Sequence, residues 1–573
     1  MGTLRTLRRE AQLPMFVPPS LMRRGVTMRR SLVVLALLVF LRVSPGDGQR
    51  PPDHGTAVIV VGQEATLPIP SLQGGKANQD VADLLFLRLL RLGPGLVTAG
   101  DRGFTPELAR FHRRDSLTLV FDLDQRARWH DGVPVTAGDV VFAFTRARDR
   151  KIDPQRAVLL RNVNSVSAVG DYRVEISFTK GYGEQLYDAV WHVQPLPAHL
   201  LDTIPAERVG TSAYARAPIG NGPYRWVRRE SGRLLELAAV PDFFLGEPRV
   251  DRVVFLLARD PEAQLNLILD GTGDALENIT PISNVRRVAA RDDYRVIAVP
   301  TFTVGYLLFN QRAYGNRLIP HPILSDVEVR RALAMAMDRQ QMIRATFGDY
   351  GAVAEGPVAQ LHWIRDPTQR ASRYDPSEAS RLLARRGWRD TDGDGILDRN
   401  GERLSLRLNF PGTSAVRALL AAQAQEYLRQ VGVRIELVRL DGPVWYERRT
   451  KGEFDIDFSS AIMDPSPSGL VQSWSCAGRG GSNVGQYCNP TVDSLLEAAI
   501  ADRRNPRRRW QDVIRTINVD APAIFLYAPA SAAAVHRRYG NVVIHPESWW
   551  SSLWRWRVTP GRQLPRDMSS PPP

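Results

Sequence analysis

Lysine is almost missing from this chain: it stands only at Lys76, Lys151, Lys180 and Lys451, so nearly all of the 75 basic residues are Arg. The net charge of +14 is interleaved with Asp and Glu along the whole length, without a basic helix, an aromatic–basic ladder or a zinc-finger spacing. That excludes a nucleic-acid footprint. Histidine is also sparse: the 9 His are dispersed, with neither a His-Glu-x-x-His pair nor any other paired spacing that a catalytic metal needs. Gly271-Thr272-Gly273 lacks the third glycine of a dinucleotide loop, and neither Ser212 nor Ser414 is bracketed by glycines as a nucleophile elbow requires. No catalytic residue, resident metal or cofactor is therefore nominated. A membrane span needs about 20 apolar residues. The run from Leu32 to Leu41 is too short for one.

What the chain does contain is room for several cores. At 573 residues it exceeds the roughly 250 to 300 that one core serves, so two or three domains are expected. Hydrophobic content of 43% and charged content of 24% fit a globular protein. Near the start, Met28-Arg29-Arg30, the apolar run to Leu41 and the small residues Ser44 to Gly48 have the layout of a secretory signal peptide; an uncleaved tether is the alternative. Residues 1–27 then read as an extension before a start at Met28. No Cys stands near the cut, which excludes a lipid anchor there, so an exported protein is expected. Cys476 and Cys488 are the only 2 cysteines. An oxidising compartment favours a disulfide between them over free thiols, worth about 3 kcal/mol of unfolded-chain entropy. Zinc is disfavoured, since it needs about four ligands and no His is nearby.

Along the chain, helical and strand patterns alternate. Strands are expected at 58–61, 117–123, 172–178, 253–257, 433–440 and 454–460, and helices at 81–92, 327–347, 377–386, 416–430 and 492–502. The densest local signal is Arg128 to Phe144. Asp131-Gly132 makes a turn, Pro134 fixes φ beyond it, and Thr136 with Asp139 three residues on caps a helix carrying Val140, Val141, Phe142 and Phe144. An α/β protein with two lobes follows.

That same stretch resembles the signature of the peptide/nickel type of extracytoplasmic solute-binding proteins, family 5. Further matching motifs are Phe104-Thr105-Pro106-Glu107-Leu108-Ala109, Pro218-Ile219-Gly220-Asn221-Gly222-Pro223-Tyr224, Asp242-Phe243-Phe244-Leu245-Gly246-Glu247-Pro248, Ser325 to Arg339, Tyr374-Asp375-Pro376, Gly387-Trp388 and Cys476 to Pro490. The resemblance covers roughly residues 58–539. It implies a type II, cluster C clamshell with an extra domain in the first lobe. On that template the chain divides into an extension with signal peptide (1–48), lobe I (55–92), the extra domain (93–201), lobe I again (202–300), lobe II (301–528), a return to lobe I (529–565) and a disordered tail (566–573). The implied partners are a peptide or other small solute and the permease and ATPase subunits of an ABC importer, with the receptor itself a monomer and not an enzyme.

Family likeness also implies where a solute sits. Asp455 to Asp464 resembles the strand that lies along the ligand, which nominates Ser460, Ala461, Ile462, Met463 and Asp464. Asp464 matches the carboxylate that pairs with a peptide's α-ammonium; its alternative role is to open the Asp-Pro-Ser-Pro turn. Three departures bear on the solute. Ala461 stands where dipeptide-binding members have Trp, Phe410-Pro411-Gly412-Thr413 lacks their carboxylate-binding Arg, and Leu67-Pro68-Ile69-Pro70 replaces an early Leu-Asp-Pro. Arg417 is near but is given no role. A nickel chelate, haem or an opine-like compound on the same fold is the alternative to a peptide, and an exported hydrolase is a second. Asp390 to Gly395 begins like a calcium loop but has Gly401 at position twelve, so it reads as a surface turn. Trp549, Trp550, Trp554 and Trp556 read as terminal packing.

Overall fold

The computed structural model describes residues 54–70, 72, 74–370 and 372–568. The expected signal segment and residues 569–573 lie outside them. Strand Gly55–Val61 pairs in parallel with Val250–Leu257 and Ala275–Leu276, and the antiparallel strands Leu234–Ala239 and Tyr224–Glu230 extend that sheet. Ala57, Ile59 and Val60 are fully buried, as an apolar run covered on both faces requires. A second region is built from Ser405–Pro411, parallel to both Arg434–Leu440 and Ile456–Ile462, with Thr303–Phe309 antiparallel to the latter.

One strand belongs to both regions. The 14-residue strand Ala523–His536 carries Thr303–Phe309 along its first part and Tyr294–Pro300 along its second, both antiparallel. Tyr294–Pro300 and Thr303–Phe309 are consecutive, so the chain crosses between the lobes beside Ala523–His536. The crossing is pinned where Thr301 donates twice to Pro529 O, from N at 3.1 Å and from Oγ1 at 2.9 Å. The result is the two-lobed α/β clamshell. A separate four-stranded antiparallel sheet, Ala109–Arg113, Thr118–Leu123, Arg173–Phe178 and Val163–Ala168, packs with helix Ala137–Arg148.

The Arg128 to Phe144 stretch supports this packing. Asp139 Oδ2 accepts from Thr136 N at 2.8 Å and from Trp129 Nε1 at 3.2 Å, while Asp139 Oδ1 accepts from Ala198 N at 2.9 Å. Trp129 is core.

Three expectations need correction. The helix read over 81–92 is Lys76–Leu85, and Leu90–Leu92 is a strand paired with Phe104–Pro106. Its last carbonyl is taken by a distant loop, since Leu85 O accepts from Asn221 N at 2.9 Å and Gly222 N at 2.8 Å. A Cβ on Gly220 would lie 2.0 Å from that oxygen, which explains the glycine there. The helix read over 327–347 is two, Val327–Met335 and Arg339–Phe347, because Asp338 caps the second by accepting from Gln341 N at 2.9 Å. The tail read from 566 begins ordered: buried Asp567 accepts from Thr56 N at 2.8 Å and from fully buried Arg538 Nη1 at 2.6 Å.

Candidate ligand-binding cleft

The strand Ile456–Ile462 is buried at its start and opens at its end. Asp457, fully buried, accepts from Trp445 Nε1 at 2.7 Å and Arg449 Nε at 3.1 Å, and burial pushes its carboxyl up. One edge is paired throughout with Thr303–Phe309. The other is matched by Ser405–Pro411 only at Leu408–Ile456 and Asn409–Asp457, so from Phe458 onward it has no ladder partner among the described residues. An unpaired edge is a template for an added strand.

Two cavities meet at the end of that strand. One, of about 580 Å³, is bordered by Lys76, Trp191, Glu277, the crossover residues Pro300 to Thr303, Glu547 and Trp549. The other, of about 540 Å³, is bordered by Arg161, Glu184, Asp188, His192, Tyr306 and Trp474. Ile462, Met463 and Asp464 line both, and Ala461 lines the second. Ile462 is 84% exposed, an apolar side chain held out between the two spaces. Ser460 lines neither; its Oγ accepts from Arg417 Nη2 at 2.5 Å. Arg417 thus reaches the nominated strand.

Residues from the two sides of the cleft touch. Tyr187 Oη donates to Asp464 Oδ1 at 3.2 Å, and Tyr187 stacks on Trp191 with ring centroids 5.6 Å apart. Burial, and the negative charge of Asp464, hold the Tyr187 phenol well above its ordinary pKa. Glu184 accepts from Thr98 Oγ1, and from Ser466 Oγ at 2.8 Å. Burial pushes its carboxyl up to about 7. Trp363 Nε1 closes the network by donating to Thr98 Oγ1 and Pro465 O, each at 3.2 Å. Asp464 therefore stands in a polar seam across the cleft.

Glu184, Tyr187 and Trp191 were not nominated by the sequence, because nothing local couples them to a strand some 277 residues away. Trp549 was seen as part of the terminal Trp cluster. It is buried as expected, yet its surface also lines the cleft.

The two cysteines are bonded, with S–S 2.00 Å and Cα–Cα 4.4 Å. Their loop follows Gly469–Trp474, which borders the second cavity, and Cys476 N donates to Asp493 Oδ1 at 2.9 Å. In an exposed turn, Asp390 accepts from Gly393 N at 2.8 Å and Gly395 N at 3.0 Å, and Arg403 sits 3.2 Å from Asp392. That acidic turn brings its own counter-charge.

A two-lobed α/β protein with strands crossing between the lobes and cavities in the seam has the build of a solute-binding receptor. Residues 103–482 match the profile of the bacterial extracellular solute-binding proteins, family 5 Middle, and the chain belongs to that family. The oligopeptide-binding protein AppA of Bacillus subtilis is 24% identical over 558 residues, covering 92% of this chain and 99% of its own. A putative ABC transporter peptide-binding protein of Brucella ovis is 29% identical over 464 residues, covering 76% of this chain and 82% of its own. The solved structure of AppA in complex with a nonapeptide superposes with a TM-score of 0.69, covering 89% of this chain and 100% of its own at 24% identity. That of NikZ from Campylobacter jejuni with Ni(L-His) gives 0.68, covering 87% of this chain and 99% of its own at 23% identity. The likenesses to solved structures establish the fold. Among the described residues no helix is long and apolar enough to cross a membrane.

Proposed function

We propose that the protein captures peptides outside the cytoplasm by closing its lobes on them, and delivers them intact to the permease and ATPase subunits of an ABC importer. The observation that carries this is the unpaired edge beyond Phe458, which ends in Asp464 between two cavities. A peptide laid there gains main-chain hydrogen bonds as an added strand, while the cavities take side chains of any sequence. Asp464 supplies a carboxylate for a charged amine. Ser460, Ala461, Ile462 and Met463 supply the strand. Closure is favourable only if the solute touches both lobes, and the Tyr187–Asp464 seam is where both are in reach. The names of the relatives support the peptide reading, since AppA is called oligopeptide-binding and the Brucella protein ABC transporter peptide-binding.

In this reading 55–92, 202–300 and 529–565 form lobe I, 93–201 its extra domain and 301–528 lobe II. The segment before residue 48 directs export, and the receptor acts as a monomer. Calorimetry with alanine-rich tri- to nonapeptides, and in parallel with Ni(L-His), tests the function. Saturable 1:1 binding of peptides that mass spectrometry recovers intact is expected. Binding of the nickel chelate alone would replace the peptide with a non-peptide solute, and cleaved peptide would replace the receptor with a hydrolase.

A further inference from the structure

Carboxyls outnumber bases in the cleft. The cavity of about 580 Å³ is bordered by Glu277, Asp464 and Glu547 with Lys76 and Arg156; that of about 540 Å³ by Glu184, Asp188 and again Asp464, with Arg161 and His192. Two of these bases are already engaged by carboxylates behind the walls. Lys76 Nζ lies 2.7 Å from Asp80 Oδ2 and Arg156 Nε 3.5 Å from Asp153 Oδ2, and Lys76 is shared further with Glu277 Oε1 at 3.5 Å. Arg161 donates to a backbone carbonyl, Val158 O, at 3.2 Å. The carboxyls, in turn, are held mostly by hydroxyls: Asp464 by Tyr187, Asp188 by Tyr182 Oη at 2.5 Å, and Glu184 by Thr98 and Ser466. His192 Nε2 stands 3.4 Å from Asp188 Oδ1. A hydroxyl fills a lone pair but cancels no charge.

Glu547 has still less. Its side chain is 3% exposed, and neither carboxyl oxygen has a hydrogen-bond partner among the described residues. His545 Nδ1 lies 3.7 Å from Glu547 Oε1, but burial lowers that imidazole to about 4, so it is neutral near pH 7 and supplies no counter-charge. Arg91 and Lys76 act on Glu547 from further off, yet Arg91 is bonded to Glu107 at 2.5 Å and Lys76 to Asp80. Burial pushes the Glu547 carboxyl up to about 7. A buried acceptor without a donor is costly, and a donor arriving with the solute removes that cost. A cleft lined by one sign of charge also focuses its field and favours the opposite sign in its ligand. An acidic solute would add charge to an existing excess, whereas a basic one offsets it.

We propose that the cleft selects its peptides by charge, taking cationic peptides over neutral and acidic ones, with Glu547 as the carboxyl that meets a positive group beyond the terminal ammonium held by Asp464. The assignment rests on the peptide reading and narrows it by charge, leaving the order of residues open. Asp464 and Glu547 border the same cavity, one from the end of strand Ile456–Ile462 and the other from the C-terminal segment, so a solute with two positive groups engages both.

The test is calorimetry on the whole protein with alanine peptides of one length that share a free amine and an amidated carboxyl end and carry no charged residue, one or two Lys, or one or two Glu. Lys peptides are expected to bind about 10-fold more tightly than the alanine peptide, and Glu peptides about 10-fold more weakly, the worth of one hydrogen bond to a charged group. The spread between them should narrow as salt rises from about 0.05 to about 0.5 M, because screening weakens each charge pair. Glu547→Gln, which has the shape of the protonated carboxyl, is expected to narrow the spread by about fivefold at low salt, and Glu547→Ala to do the same. Equal affinities for Lys, alanine and Glu peptides, or tighter binding of the Glu peptides, would overturn the charge selection and leave the peptide reading standing. A spread unchanged in a folded Glu547→Gln or Glu547→Ala protein would overturn the part given to Glu547. Failure of every peptide to bind would overturn the selection and the peptide reading together. The wild-type series needs no variant, so a misfolded variant does not rescue the selection.

Discussion

The phenol of Tyr187 donates to Asp464 Oδ1 across 3.2 Å, joining helix Gln185–Trp191 on one side of the cleft to the end of strand Ile456–Ile462 on the other. A carboxylate has two oxygens and about four lone-pair sites. Asp464 can therefore hold the tyrosine and still accept from a ligand amine. The pair makes lobe contact and ligand recognition neighbours in space, and the two roles separate under substitution.

Removing the carboxylate addresses recognition. Asp464→Ala is expected to weaken binding of free-amine peptides by about 10- to 100-fold, the worth of a hydrogen bond to a charged group. N-acetylated peptides, which carry no ammonium, should change several-fold at most. Calorimetry on matched peptide pairs reads the difference, and equal losses for both would leave Asp464 with only its turn.

Removing the phenol addresses closure. Tyr187→Phe keeps the ring stacked on Trp191 and deletes one hydrogen bond, worth about 1 kcal/mol. Free-amine and acetylated peptides should then lose affinity equally, by about fivefold. The radius of gyration of the ligand-free protein, from small-angle scattering, should rise as the lobes part more often. A loss confined to free-amine peptides would instead place Tyr187 in the amine site.

Local chemistry was legible where one segment sufficed. Thr136 and Asp139 formed the expected capping box, and Asp375-Pro376 started a helix as its residues specify, with Asp375 accepting from Glu378 N at 2.8 Å. What escaped was apposition. Helix Lys76–Leu85 stops because a loop near residue 220 claims its last carbonyl, and no window around Leu85 contains that loop. The split at Asp338 was within reach, since Asp before Arg339 is a capping residue, but the apolar periodicity continues through it and outweighed the cap. In the cleft, the strand and its terminal Asp464 were legible through family likeness. Glu184, Tyr187 and Trp549 were not, because each becomes a cleft residue only when the lobes fold together.

Reduction of the Cys476–Cys488 bond should loosen the wall of the second cavity. The bond closes a 12-residue separation, which corresponds to about 3 kcal/mol of chain entropy, and the closed loop directly follows Gly469–Trp474. Amide hydrogen exchange is expected to quicken through residues 469–489 in the reduced protein, while the first-lobe strand Gly55–Val61 keeps its protection. Uniform loss of protection would show that the bond holds the whole second lobe rather than its rim.

The seam also carries a titration. Glu184 ordinarily ionises near 4.5, and burial pushes it up to about 7, so the folded protein keeps a proton between those values that the unfolded chain has released. Stability therefore falls as pH rises from 4.5 to about 7, and the cost of the buried charge is fully developed above that. Asp80 and Glu547, each raised by burial to about 7, have the same sign. His130, His362 and His545, lowered by burial from 6.5 to about 4, have the opposite sign and act only below 6.5. Above pH 6.5 only the carboxyls of these six groups still titrate, and their cost is complete above about 7. Glu184→Gln retains an acceptor for Thr98 and a donor for Ser466 without the charge, so it is expected to raise the melting temperature at pH 8 more than at pH 5. A melting-temperature difference independent of pH would mean that Glu184 stays ionised in the folded protein and that Thr98 and Ser466 alone satisfy it.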